Sequence, residues 1–317
     1  MNRRDFTRTL GMGALALGLG SELGIPSTSA ASPPPQVAIT MDDFTWSANP
    51  VRLSADEINQ AILRALRAHS LEAALFVRTS NIDNDKGKTL LKDWDRAGHL
   101  IANHTYSHWY YNSTRITAAA FEQDILRSEA LLRNFPRFKK LFRFPYLKEG
   151  DTAVKRDAVR SFLAAHGYRA GHVTIDASDW IIDDRLRKRL SRNPTADLTP
   201  YREFYLAHMW DRALYYDDLS HKTLGRTVKH TIVVHFSLLN ALFLGDLIGM
   251  FKSKGWQLID AEDAFTDPVF AAKPNIVPAG ESIIWALAKE TGKFDTLLRY
   301  PGEDGDYETP KMDKLGL

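Results

Sequence analysis

The chain has no cysteine among its 317 residues. No disulfide can staple it, and no thiolate can serve as metal ligand or nucleophile. It also lacks an apolar run long enough to span a bilayer. The longest candidate, Leu10 to Gly20, falls well short of the ~20 residues a spanning helix needs, so no permanent membrane span is expected. Charge of one sign is missing too: 41 basic residues against 39 acidic ones leave a net charge of +2. That balance gives no basis for nucleic-acid binding or a polybasic membrane contact. There is no internal repeat and no low-complexity block beyond Pro33-Pro34-Pro35. What remains is an ordinary globular composition, with 44% hydrophobic residues.

The first residues pair Arg3-Arg4 with Asp5-Phe6, follow them with the Gly/Ala/Leu stretch, and end in Ser27-Thr28-Ser29-Ala30-Ala31. A positive start, a short apolar stretch and small residues for cleavage make a signal peptide. The twin arginine predicts a Tat-type leader over residues 1–31, with the Tat translocon as a transient partner and a periplasmic or secreted destination. Tat export carries folded proteins, so a metal can be loaded beforehand. Residues 32–36 read as a stiff, proline-rich linker.

Beyond the linker, short apolar runs alternate with helical patterns. Strands are expected at Gln36–Met41, Ala73–Val77, His99–Asn103, Leu141–Phe144, Ala170–Ile175, Thr231–Phe236 and Trp256–Ile259. Helices are expected from a Ser54 cap to His69, over Lys88–Ala97, over Ala118–Arg133 behind Thr117, from an Asp151 cap to His166, and over Asn240–Lys254. Alternating βα units with continuously apolar strands predict an α/β fold with a parallel sheet covered on both faces. Seven units favour a closed barrel over an open sheet. The segments are a barrel over 37–266, a helical insertion over 181–229, and a C-terminal extension over 267–317 with a helix near Glu281–Lys289.

Five clusters end or follow these strands: Asp42-Asp43, His104-Thr105-Tyr106-Ser107-His108, Arg143-Phe144-Pro145-Tyr146, Asp176-Ala177-Ser178-Asp179-Trp180 and Val233-Val234-His235. Strand ends of a parallel barrel converge on one face, where active sites lie. A spacing of four on a helical turn would put the His104 and His108 rings on one side. With Asp43 as third ligand they make an open site for a divalent metal, zinc first, with cobalt or nickel as other borderline ions. Asp42, next to the metal ligand, is the candidate general base, and His235 the candidate general acid. The Arg143 fork can hold a carboxylate. Asp176 or Asp179 can orient Arg143 or His235. Pro145 and Tyr146 shape a loop whose backbone N–H can support an oxyanion, and Trp180 offers a flat wall for a sugar ring.

These motifs resemble those of the polysaccharide deacetylases, carbohydrate esterase family four, with its NodB-homology domain. Thr40-Met41-Asp42-Asp43-Phe44 stands for the first motif, followed by His104 to His108, Arg143 to Tyr146, Asp176 to Trp180 and Val233 to His235, five matches in order across Val37 to Asp260. The resemblance implies a distorted (β/α)7 TIM-like barrel and metal-dependent removal of N-acetyl or O-acetyl groups from a glycan. By the same resemblance Asp42 is the base, Asp43, His104 and His108 hold the metal, and His235 is the acid. Arg143 would orient the base, the Tyr146 N–H would serve the oxyanion, and Asp179, with Asp176 beside it, would support His235 or Arg143. Three positions depart from the pattern. Phe44 replaces the usual glycine, which predicts a bulky substrate-contacting ring beside the metal rim. Val173 stands near a missing tryptophan, and Phe236 follows His235 where an aspartate is common. Tyr146, Trp180 and Phe44 are thus the expected substrate contacts. The expected partner is an acetylated glycan. An amidase acting on a small non-sugar amide and a non-catalytic glycan-binding protein are the other readings.

Overall fold

The computed structural model describes residues 33–46, 50–299 and 305–317, and residues 34–317 pack as one unit. The expected signal peptide lies outside the described residues. Among the described residues, no helix is long and apolar enough to cross a membrane.

The centre of the fold is β1 (Gln36–Asp43), whose Val37, Ala38, Ile39 and Met41 are all buried. Helix α1 (Ala55–Ala68) follows. Its N-cap Ser54 forms a complete capping box with Glu57, and Ile58, Ile62, Leu63 and Leu66 face the core. Next come β2 (Ala74–Val77), α2 (Asp85–Arg96), β3 (Leu100–Asn103), α3 (Ala118–Leu132) and β4 (Phe138–Phe142). Then follow β5 (Lys148–Gly150), α4 (Ala153–Ala165) and β6 (Arg169–Ala170). The insertion is two helices, α5 (Asp179–Arg192) and α6 (Thr199–Leu224). After it come β7 (Lys229–His235), α7 (Leu238–Ser253), β8 (Gln257–Leu258) and α8 (Ala261–Ala264). The extension adds β9 (Ala279–Gly280), α9 (Ile283–Thr291) and α10 (Thr309–Leu315).

The main sheet runs β6-β4-β3-β2-β1-β7, with β8 also on β1, and all its pairings are parallel. These are the seven strands expected from the alternation. The sheet is curled, and a parallel bridge from Ile175 to Ile232 brings the segment after β6 against β7.

The structure differs locally from the expected elements. The fifth strand is not continuous over Ala170–Ile175. It pairs with β4 only at Arg169–Ala170, and the chain then crosses towards β7. At the crossing Gly171 donates to the Phe142 carbonyl at 2.7 Å, and a Cβ there would lie 2.4 Å from the Phe76 ring. The cap of α4 is Thr152, which accepts from Lys155 N–H, rather than Asp151. Asp151 instead pairs with Lys155. The antiparallel ribbon β5–β9 was not expected, because two- and three-residue strands leave no periodicity to read.

One polar contact inside the core is exposed to a simple test. Asn59 on α1 is fully buried, accepts from Trp94 Nε1 at 2.7 Å and donates to the Leu90 carbonyl. Asn59→Leu leaves the indole N–H buried without a partner. A loss of about 1–3 kcal/mol in stability is expected, measured by urea unfolding. An unchanged midpoint would show that the indole finds another acceptor.

Candidate metal and active centre

Register places the reacting groups side by side. Asp42 pairs with His235 across β1 and β7, and Asp43 with Val77 across β1 and β2. At Asp43 and Phe44 the backbone turns left-handed, with φ of 75° and 52°. This ends the alternation of the strand, so that two neighbouring carboxylates serve one cavity. Phe44 turns the other way. It is fully buried, packed edge-on against Phe236 and Trp94, and does not line the cavity. The expectation that its ring narrows the substrate rim is therefore corrected. A large ring there gains more from core burial than from the wet rim.

The expected helical turn at His104–His108 is absent as well. The segment is a loop with Thr105 and His108 left-handed, at φ of 65° and 58°. Left-handed non-glycine residues cost about 1–2 kcal/mol each, so surrounding bonds must hold them. Asn103 Oδ1 accepts from Thr105 N–H at 2.9 Å, and Thr105 Oγ1 accepts from His108 N–H at 3.0 Å. The Asp124 carboxylate on α3 accepts from the N–H groups of Tyr106 and Ser107 and from the Ser107 hydroxyl. Asp124 and Asn103 were not singled out from the sequence. The available signal was an acid inside the apolar stripe of α3, between Phe121 and Ile125.

This loop sets the His104 and His108 rings 5.0 Å apart. Ligand atoms of Asp43, His104 and His108 all lie within 4.8 Å of one another. Asp43 Oδ1 is 2.9 Å from His108 Nε2 and 3.5 Å from His104 Nε2, yet this buried oxygen has no hydrogen bond of acceptable geometry. His104 Nδ1 lies 2.8 Å from the Arg143 carbonyl. A carbonyl only accepts, so Nδ1 carries the proton and Nε2 turns a lone pair towards Asp43. Burial pushes the His108 pKa down, with Asp43 opposing, which favours a neutral ring. Burial would raise the Asp43 carboxyl, but His104, His108 and His235 together hold it well below the usual carboxylate range. Lone pairs of an imidazole and a carboxylate that face each other repel unless a cation lies between them. The donor set therefore fits a borderline divalent ion such as zinc.

Asp42 is held from behind. Arg143, itself buried, donates from Nη1 to Asp42 Oδ1 at 2.5 Å and to Thr40 Oγ1 at 3.0 Å, and from Nε to the Gly171 carbonyl at 2.7 Å. Its guanidinium lies 3.8 Å over the Phe76 ring. Asp42 Oδ2 is left on the cavity side, 3.9 Å from His104 Nε2.

Between Asp179 and Asp176, geometry separates the roles left open by the sequence. The carboxylate of Asp179, fully buried at the first residue of α5, lies 2.7 Å from His235 Nδ1 and accepts the His235 backbone N–H at 2.9 Å. Asn240 Nδ2 completes it at 2.7 Å. Burial lowers the His235 pKa, but Asp179, then Asp43 and Asp42, more than offset this and raise it to about 10. Asp176 lines the cavity, and its charge acts on Arg143.

The cavity bounded by these groups measures about 320 Å³, and Arg78, Tyr146 and Trp180 complete its wall. The Tyr146 ring packs 4.7 Å from His108 at the rim, and Tyr146 is left-handed at φ 56°. Arg78, at the end of β2, was not foreseen as a cavity residue, although it too follows a strand end. A larger cavity of about 560 Å³ lies between α4, β6 and residues 265–273 and contains none of these groups.

Parallel strands bring a candidate Asp-His-His cation site, an arginine-held carboxylate and a carboxylate-held imidazole to one rim of a distorted barrel. The family model described as polysaccharide deacetylase matches residues 29–171. The peptidoglycan-N-acetylglucosamine deacetylase of Bacillus cereus is 26% identical over 146 residues, which are 46% of each chain. This chain thus spans about half the length of that relative. Among solved structures, the chitin deacetylase of Colletotrichum lindemuthianum superposes with a TM-score of 0.50 at 18% identity, over 73% of this chain and 88% of that one. A mutant of a CE4-family pseudoenzyme with restored activity superposes with a TM-score of 0.50 at 15% identity, over 73% and 67%. At these identities the two structures support the fold.

Proposed function

We propose that this chain removes acetyl groups, N-acetyl before O-acetyl, from an extracytoplasmic polysaccharide or oligosaccharide. The observation that carries the reading is the trio Asp43, His104 and His108 closing on one point beside Asp42 and His235. A divalent cation held by the trio, zinc by preference, would polarise the acetyl carbonyl and ease deprotonation of water. Asp42, its Oδ1 tied to Arg143, has Oδ2 free to take the proton of the attacking water. The Tyr146 backbone N–H serves the developing oxyanion, and Trp180 lies along the sugar ring. His235, protonated through Asp179, delivers its Nε2 proton to the departing atom. An amine leaves only when protonated, whereas an alcohol leaves more readily unassisted, so an acid of raised pKa suits the amide better than the ester. The leader motif Arg3-Arg4-Asp5-Phe6 supports export by the Tat route to a periplasmic or secreted location.

The test is acetate release from N-acetylglucosamine oligosaccharides and from acetylated xylan. Release is expected to stop after chelation and to return with added zinc. Activity that survives complete metal removal, or glycan binding without any acetate, would reject the proposal. Acetate from small amides alone would move the assignment to an amidase.

A further inference from the structure

The acid side of the centre is braced by the C-terminal extension. Asp179 opens α5, yet the preceding residue, Ser178, makes no side-chain capping bond to that helix. The start of the helix is held from outside. Ser178 N–H donates to His208 Nε2 on α6 at 3.4 Å, and the Ser178 hydroxyl lies at the same distance. His208 Nδ1 in turn lies 3.2 Å from Glu308 Oε1. All three residues are buried. A ring that accepts at Nε2 must carry its proton on Nδ1 and donate it to Glu308. Burial, then Arg212, drive the His208 pKa down to about 3, so the neutral tautomer is the one present. The tail is fastened around this chain of bonds. Gly305 lies so close to α5 that a Cβ would sit 3.1 Å from Ile181 Cγ1. Arg185 on α5 binds both Asp313 and the Leu317 carbonyl.

We infer that His208 and Glu308 are positioning residues for the general acid: through Ser178 they fix the first turn of α5, and with it the Asp179 carboxylate that aims His235. A nucleophilic serine reading of the Ser178–His208–Glu308 array fails, because Ser178 has no exposure to substrate. The inference rests on the proposed role of His235. Its signature is a dependence on the leaving group. Amide cleavage needs the acid, whereas 4-nitrophenyl acetate expels a leaving group that needs no proton.

Glu308→Ala and His208→Ala are expected to lower kcat on N-acetylglucosamine oligosaccharides by about 10- to 100-fold. KM and the rate on 4-nitrophenyl acetate should stay within about two-fold. Glu308→Gln keeps an acceptor for His208 Nδ1–H and is expected to behave as wild type. Asp313→Ala, which loosens the tail without touching the chain of bonds, serves as control. A second readout is independent of turnover: the downfield proton resonance of His235 Nδ1–H should move in both alanine variants and not in the control. Equal losses on amide and ester, or an unmoved resonance, would overturn the inference. If His235→Asn itself shows no amide-specific loss, the assigned role of His235 fails. The resonance then still decides whether the tail positions that ring.

Discussion

His104→Ala is expected to abolish both metal retention and acetate release. The ring is buried, its tautomer is set by the Arg143 carbonyl, and its Nε2 is one of three donor atoms that converge within 4.8 Å. Alanine leaves one carboxylate and one imidazole, too few for a stable open site. It also leaves Asp43 Oδ1, which already lacks a hydrogen bond, in a larger void. Losing several kcal/mol of transition-state stabilisation means a fall of more than about 10³-fold in kcat/KM. Metal content of the purified protein, measured alongside acetate release, checks both halves. A variant that retains one equivalent of metal at full activity would remove His104 from the ligand set.

Asp179→Asn should give the second large effect, and a change in pH profile rather than a simple loss. Asp179 is the main group that raises the His235 pKa to about 10. A general acid must be protonated, so kcat falls as pH rises through its pKa. Replacing the carboxylate by an amide lets that pKa drop, and the alkaline limb shifts to lower pH. Asp43 and Asp42 also hold the value up. A bound cation offsets their charge, so the loaded wild-type limb lies below 10 but above that of the variant. The altered tautomer adds to the loss, and a fall of about 10²- to 10⁴-fold in kcat at neutral pH is expected. Stability carries the same sign. A raised imidazole pKa contributes stability that is whole below the ordinary histidine value and is lost as pH rises towards 10. The variant should therefore be destabilised most at mildly acidic pH, while carboxylates remain ionised, and least above pH 10. A pH–rate profile with an unmoved alkaline limb would show that another group supplies the proton.

Strands β1, β2, β3 and β7 were legible because each carries a short, largely apolar run next to a helical pattern, and β1 buries Val37 to Met41 on both faces as such a run must. The caps Ser54 and Thr117 were legible because a cap is a contact between residues three apart. Residues 170–175 were not, since a pattern of apolar residues reveals burial but not which neighbour they pair with. At the centre, residue types at strand ends already named Asp42, Asp43, His104, His108, Arg143 and His235. The helical turn expected for His104 and His108 failed because Asn103 and Asp124 hold a left-handed loop instead. Phe44 failed in the opposite sense, drawn into the core by Trp94 and Phe236.

By itself, then, the sequence determined most of the elements and which polar residue types stand at their ends, because hydrophobic periodicity, capping and residue type act over a few neighbouring positions. Only the tertiary structure decided where those side chains point. At the ends of strands the backbone leaves its regular path, and its direction is set by partners far along the chain. Asp124 holds the histidine loop, Arg143 holds Asp42, and Glu308 from the extension stands behind the helix that carries Asp179.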